Sequence, residues 1–322
     1  MSAKKVLTLD DLEPWSKAGP ESLTDYPIPE NIKVRYHLND EINSKISIWP
    51  GGDSTHLAAD AIVNAANEML RPGGGICGAI HRAAGPNLYK ECKLELKENG
   101  NFIDPGNAVL TKGYNLPAKY VIHTVGPRGK KPKLLKNAYE STIKLIDGDD
   151  IRSIGLCCIS TGIFGFPIKP ATRIAMKTVR EWLEKEENLE KTDRIIFVVF
   201  LPKDVKIYYE YLHEFFPLTE QPICTDEEEE KDEEEEEEEK SSESGKSDKE
   251  DKKEKKTKSD RKSDNTPEKV TKEKDDKKSD IDEKEDKNKK KDEEKPKNDP
   301  QKTAKRKRMR IPKVKTSPVE DI

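Results

Sequence analysis

Three segments of the chain carry residue types suited to holding phosphates and sugars. The first is Asp60-Ala61-Ile62-Val63-Asn64-Ala65-Ala66-Asn67. It reads as an apolar strand ending in two asparagines, with Ala65 and Ala66 small enough to let a ligand approach. Each asparagine offers a donor and an acceptor to a sugar hydroxyl, although asparagines at a strand end also form turns. The second runs Pro72-Gly73-Gly74-Gly75-Ile76-Cys77-Gly78-Ala79-Ile80-His81. Its three successive glycines precede a helix of small residues, so backbone N–H groups at a positive helix end are bared to a phosphate or pyrophosphate. The third, Ser160-Thr161-Gly162-Ile163-Phe164-Gly165-Phe166, brings two hydroxyls, two glycines and an aromatic ring to the start of another helix.

Each segment has a plainer reading. Gly73, Gly75 and Gly78 satisfy GxGxxG, but the six residues Glu68 to Gly73 separate the strand end from the second glycine, and a dinucleotide fingerprint needs a tight turn there. That spacing, and a fold of under 200 residues, argue against a dehydrogenase. His81 serves either to orient a catalytic group or ligand, or as a structural histidine packed on its own helix.

The elements that position these loops follow from periodicity. Strands are expected over 45–49, 61–64, 108–111, 120–124, 153–159 and 194–200, and helices over 76–84, 87–98, 133–146, 170–186 and 204–215. A further short helix is expected over 9–17. Continuous apolar runs such as IGLCCI and IIFVVF suit strands covered on both faces, and their alternation with helices implies an α/β three-layer sandwich. In such sheets ligands sit beyond the carboxyl ends of the strands, where all three loops fall.

Composition limits the folded part. From residue 226 to 322, 31 Lys and Arg accompany 35 Asp and Glu, with eight apolar side chains and no aromatic. Such a segment buries too little to offset the entropy of ordering and is expected to be disordered. Residues 1–225 then hold 29 basic and 29 acidic side chains, which gives no global electrostatic case for nucleic acid. The basic cluster Lys305, Arg306, Lys307, Arg308 and Arg310 suits a nuclear-import receptor or, failing that, is a solvated charge run. Five cysteines, odd in number and without CxxC spacing, suit reduced thiols inside a cell. No signal-peptide core or membrane-length apolar run appears in the sequence. The expectation is a soluble, non-secreted monomer found in nucleus and cytoplasm.

Taken together, DAIVNAAN, GGGICGAIHRAAGP, YVIHTVGP and ISTGIFGFP resemble, in order and spacing, the signature blocks of MacroD-type macrodomains. The resemblance covers roughly residues 30 to 216. It implies an α/β/α sandwich with a mixed sheet over 30–217, between an irregular lead-in over 1–29 and the charged tail over 218–322. It also implies binding of ADP-ribose, its hydrolytic removal from acidic side chains of mono-ADP-ribosylated proteins, and deacetylation of O-acetyl-ADP-ribose, with no metal or cofactor. By motif, Asp53 with Gly52 and Ser54 matches the adenine-recognising segment. Asn67 matches the asparagine at the distal ribose, and His81 the helix histidine near the reacting sugar. The segments Gly73 to Ile76 and Ser160 to Phe166 match the two loops around the diphosphate and distal ribose, with Phe164 as the ring beside that ribose.

Three positions depart from the pattern. Cys77 stands where the family has an Asp proposed to activate water, and a thiol of ordinary pKa is a poor base at neutral pH. Pro72 replaces a loop glycine and removes an N–H donor. Val205 replaces an aromatic that covers the adenine. A hydrolase is the leading expectation; a module that binds mono-ADP-ribosylated proteins without cleaving them is the alternative, and an interaction protein dominated by its tail comes third.

Overall fold

The structure, a computed structural model, describes residues 5–18, 23–29 and 32–224. Of the charged tail expected over 218–322, residues 218–224 are described, and Ile223 bridges Val34, so the ordered chain runs past residue 217; residues 225–322, with the import cluster at Lys305–Arg308, lie outside the described residues.

In chain order the elements are α1 (Asp40–Ser44), β1 (Ile46–Pro50), β2 (Ala61–Ala66), α2 (Gly75–Ala84), α3 (Pro86–Glu98), β3 (Ala108–Lys112), β4 (Tyr120–Val125), α4 (Pro132–Ile143), β5 (Ser153–Cys157), α5 (Ile168–Leu183), α6 (Glu186–Lys191), β6 (Arg194–Val199) and α7 (Pro202–Phe215). The strands form one sheet in the order β1-β6-β5-β2-β4-β3. All neighbours are parallel except the antiparallel pair β3 and β4. Alternate residues of the same strand enter two different cores. Val63, Phe197 and Val199 pack with α4, α5 and α7, while Ile62, Ile196 and Val198 pack with α2 and α3. The sheet is therefore sandwiched between two helical layers, as the two-sided apolar runs require.

The expected helix over 9–17 is instead two short 3-10 turns, Leu9–Asp11 and Trp15–Lys17. Pro14 separates them, because it cannot donate to a continuing helix. The lead-in nevertheless packs on the domain. Trp15 is buried and its indole N–H donates to the Phe216 carbonyl at 2.6 Å, and Tyr26 stacks on Tyr209 with centroids 4.3 Å apart. Buried Arg180 donates to the carbonyls of His37 and Phe215, each at 2.9 Å, and to Glu184 at 2.6 Å. Among the described residues, no helix is long and apolar enough to cross a membrane.

The seam between β2 and β5 decides where a cleft forms. Their pairing covers only Ala61↔Ile154 and Ile62↔Gly155, whereas β2 stays paired with β4 to Ala66↔Val125. Beyond the seam the chains leave toward the two glycine-rich loops. Asp60 pins its start: one carboxylate oxygen accepts from Lys119 Nζ at 2.7 Å, and the other from Ser153 Oγ at 2.7 Å and the backbone N–H groups of Ser153 and Arg152 at 3.0 and 3.2 Å. Burial by itself would raise this carboxyl's pKa, but the donors outweigh it and hold it below the ordinary 3.8. Because the folded value lies below the unfolded one, the stabilisation is complete above the ordinary value and disappears as pH falls through the folded value. Asp60→Ala is expected to cost about 1–3 kcal/mol at pH 7, with a smaller difference from the parent in strong acid. Urea unfolding of both proteins at pH 7 and pH 3 measures this.

Candidate ligand cleft

At the end of β2 the chain turns on Asn67. Its Oδ1 accepts from the N–H groups of Met69 and Arg71 at 3.2 and 3.1 Å, and its Nδ2 donates to the Arg71 carbonyl at 2.7 Å. Asn67 thus shapes the approach to the glycine loop, the turn-forming role open to asparagine at a strand end. Its Nδ2 lies 3.8 Å from where a side chain on Gly73 would begin. Ala65 and buried Ala66 complete the strand end.

Gly74 caps α2 in extended conformation, and Gly75 opens the helix at φ +56, a value that disfavours a side chain. Pro72, Gly73, Gly74 and Gly75 are all exposed. Opposite them lies the loop after β5. A side chain on Gly74 would come within 3.1 Å of Ile163 Cδ1, so the two loops face each other across one gap. Ile163 is 79 % exposed. The second loop is held by hydrogen bonds from Phe166 N to the Ser160 carbonyl at 2.9 Å, from Gly165 N to the Gly162 carbonyl at 3.0 Å and from Thr161 Oγ1 to the Cys158 carbonyl at 3.1 Å. Ser160 has φ +66 and its buried hydroxyl has no partner, a strained residue of the kind found where a loop must present a surface. The N-terminal end of α2 opens directly from this gap at Gly75, so an anion there meets its first-turn N–H groups.

Arg128, not singled out from sequence, lies over the Phe164 ring at 4.1 Å and pairs with Glu68 at 3.6 Å. It links the loop after β5 to the segment after β2. The Gly129 N–H also donates to the Phe164 carbonyl at 2.7 Å. No local motif signals these contacts, because they join three separate connections.

At the same carboxyl ends, on the β1 side of the sheet, Gly51 N donates to the Val199 carbonyl at 2.7 Å and joins the ends of β1 and β6. Asp53 caps the turn Ser54–His56, its Oδ1 accepting from Thr55 N at 3.1 Å and Thr55 Oγ1 at 2.7 Å. Ser54 is buried, with an unpartnered hydroxyl; Gly52 is buried beside it.

Three assigned residues lie elsewhere. Val205 is 3 % exposed and packed in the core with Tyr208 and the α5 side, so it offers no face to a base. The exposed apolar side chains at that edge are Phe200 and Leu201, which immediately follow β6. An aromatic closing the run IIFVVF was the available signal. Phe166 is also core, fully buried under α5. His81 faces inward, with the rings of Tyr89 and His123 as neighbours at 6.1 and 6.0 Å. Burial lowers its pKa, so it is neutral at physiological pH.

Cys77, in the first turn of α2, is 5 % exposed. Its thiol points at the Arg71 carbonyl at 3.5 Å and receives Asn64 Nδ2 at 3.8 Å. Burial raises its pKa, and hydrogen bonds from Asn64 and the Gly73 backbone recover only part of that. The thiol is protonated at neutral pH and cannot act as a general base.

The Macro domain family matches residues 63–175. The human ADP-ribose glycohydrolase MACROD2 is 48 % identical over 197 residues, 59 % of this chain and 44 % of that protein. A macro domain-containing protein of Chlorobaculum tepidum is 46 % identical over 165 residues, 50 % of this chain and 91 % of that protein. Among solved structures, the Trypanosoma brucei macrodomain in complex with ADP-ribose is 38 % identical with a TM-score of 0.53, covering 65 % of this chain and 78 % of that one. The chain spans less than half the length of the MACROD2 proteins it matches.

Proposed function

Since this chain belongs to the macrodomain family, we propose that its cleft binds ADP-ribose and that the domain hydrolyses ADP-ribose esters on acidic side chains of mono-ADP-ribosylated proteins, and deacetylates O-acetyl-ADP-ribose. The observation that carries this reading is the pair of glycine-rich loops facing each other at Gly74 and Ile163, with the N-terminal end of α2 opening from the first of them. A diphosphate in that gap meets backbone donors and the positive end of α2. Adenine then lies toward Phe200 and the Gly52–Ser54 turn, with part of the Asp53 carboxylate accessible to its exocyclic amine. The distal ribose falls between Asn67 and Phe164.

With the Cys77 thiol protonated, the water is oriented by a substrate phosphate oxygen and Asn67. Catalysis comes from proximity and from the fixed dipoles around the diphosphate more than from a strong base. The same protonated thiol favours a second reading, in which the domain binds mono-ADP-ribosylated proteins without cleaving them. A monomer shared between nucleus and cytoplasm, with Lys305–Arg308 read by an import receptor, is part of the proposal.

Calorimetry with ADP-ribose on the full chain, followed by release from a glutamate-ADP-ribosylated protein in the same sample, tests both. Binding with release is the expected result. Binding without release makes the protein a reader, and absence of binding overturns both readings.

A further inference from the structure

A second cluster lies behind the cleft, between α2, α3 and β4. One donor atom from each of His81, Cys92 and His123 lies within 4.8 Å of the others. Cys92 and His123 are completely buried and His81 nearly so. Cys92 Sγ stands 3.7 Å from His123 Nε2, close to the separation of a sulfur and a nitrogen bound to one metal at about 2.3 and 2.0 Å.

Two features point to a missing occupant. Neither ring nitrogen of His81 has a hydrogen-bond partner, although both are buried. An unmet imidazole in such a place is costly. Asn64 Oδ1 is likewise buried without a partner, while its Nδ2 lies 3.0 Å from His123 Nδ1. With Nδ1 accepting from that amide, the His123 ring proton lies on Nε2, 2.9 Å from Thr111 Oγ1. A metal at Nε2 moves that proton to Nδ1, so on binding Asn64 turns its oxygen toward Nδ1 and gives up its N–H to Cys77.

The ligand types narrow the ion. One thiolate and two imidazoles with no carboxylate select a soft cation over magnesium or calcium. A univalent ion on one thiolate leaves the buried site neutral, whereas a divalent ion leaves a charge of +1 that burial penalises. Zinc would also need a fourth ligand, and Thr111 Oγ1, 2.9 Å from His123 Nε2, is only a weakly ligating hydroxyl.

We propose that His81, Cys92 and His123 form a buried site for one soft d10 cation, with Cu+ favoured by charge and by coordination number. Binding replaces the Cys92 proton, which passes to solvent, and forms one metal–sulfur and two metal–nitrogen bonds with no change of oxidation state. The ion ties α2, whose first turn carries the glycine loop, to α3 and to the sheet. It is structural and lies outside the hydrolytic steps above.

The test titrates the full chain anaerobically with Cu+ against a chromophoric chelator, and in parallel with Zn2+, then records X-ray absorption at the metal edge. One Cu+ per chain, with one sulfur and two nitrogens around it and held more tightly than Zn2+, is expected. Cys92→Ser should weaken binding by about 100-fold or more, since the thiolate is the only anionic ligand. If that variant does not fold, the ligand count in the unaltered chain decides by itself. No ion held against the chelator, or a sulfur-only shell drawn from the remaining cysteines, would overturn the site and leave water as the partner of His81.

Discussion

Gly78→Ala is expected to lower ADP-ribose affinity about 100-fold while leaving the domain folded. Two effects oppose each other. Alanine is the better helix former by about 1 kcal/mol, so α2 itself gains. The added Cβ, however, would lie 2.3 Å from the Gly73 carbonyl oxygen and 3.0 Å from Arg82 Nη1. The arginine end can swing away; the backbone carbonyl can retreat only by carrying the glycine loop with it. A displacement of about 1 Å in a positioning loop costs on the order of 100-fold in function, which outweighs the helical gain where binding is concerned. Calorimetry on parent and variant, with circular dichroism to confirm the helices, checks this. Unchanged affinity would show that the loop at Gly73–Gly75 does not hold the ligand.

The second large effect runs the other way. Cys77→Asp should raise release of ADP-ribose from a glutamate-linked substrate by about 100-fold, within the 100- to 10,000-fold that a positioned general base contributes. The carboxylate would sit in the first turn of α2, where the helix end favours it by about 0.3–1 kcal/mol. It would replace a thiol that burial keeps protonated. Cys77→Ala is the control and should change the rate by no more than about 3-fold, because a group that transfers no proton loses little when deleted. A steep fall in the alanine variant would restore the thiol as a participant and remove the case for catalysis without a base.

Much of the fold was legible because the central strands, buried on both faces, leave continuous apolar runs, and all six strands overlap their expected ranges. The short elements were not. The six-residue α6 and the five-residue α1 are stabilised by packing and by the Asn39 cap, and show too little periodicity to register. In the cleft, motif spacing located both glycine loops but could not say which way a side chain faces. Val205 and Phe166 turn into the core, while Phe200 stays outside. The Arg128 stack on Phe164 and the meeting of His81, Cys92 and His123 join residues far apart in the chain. Only the folded chain brings them together.

The narrow pairing of β2 with β5 has a mechanical consequence. With ladder pairing at two positions only, the spine between the leaves β1-β6-β5 and β2-β4-β3 carries the fewest ladder hydrogen bonds in the sheet, although side chains of both strands share one core across it. The glycine loop after β2 belongs to one leaf and the loop after β5 to the other, so a ligand touching both acts as a clasp. An occupied domain should therefore breathe less along that line than an empty one.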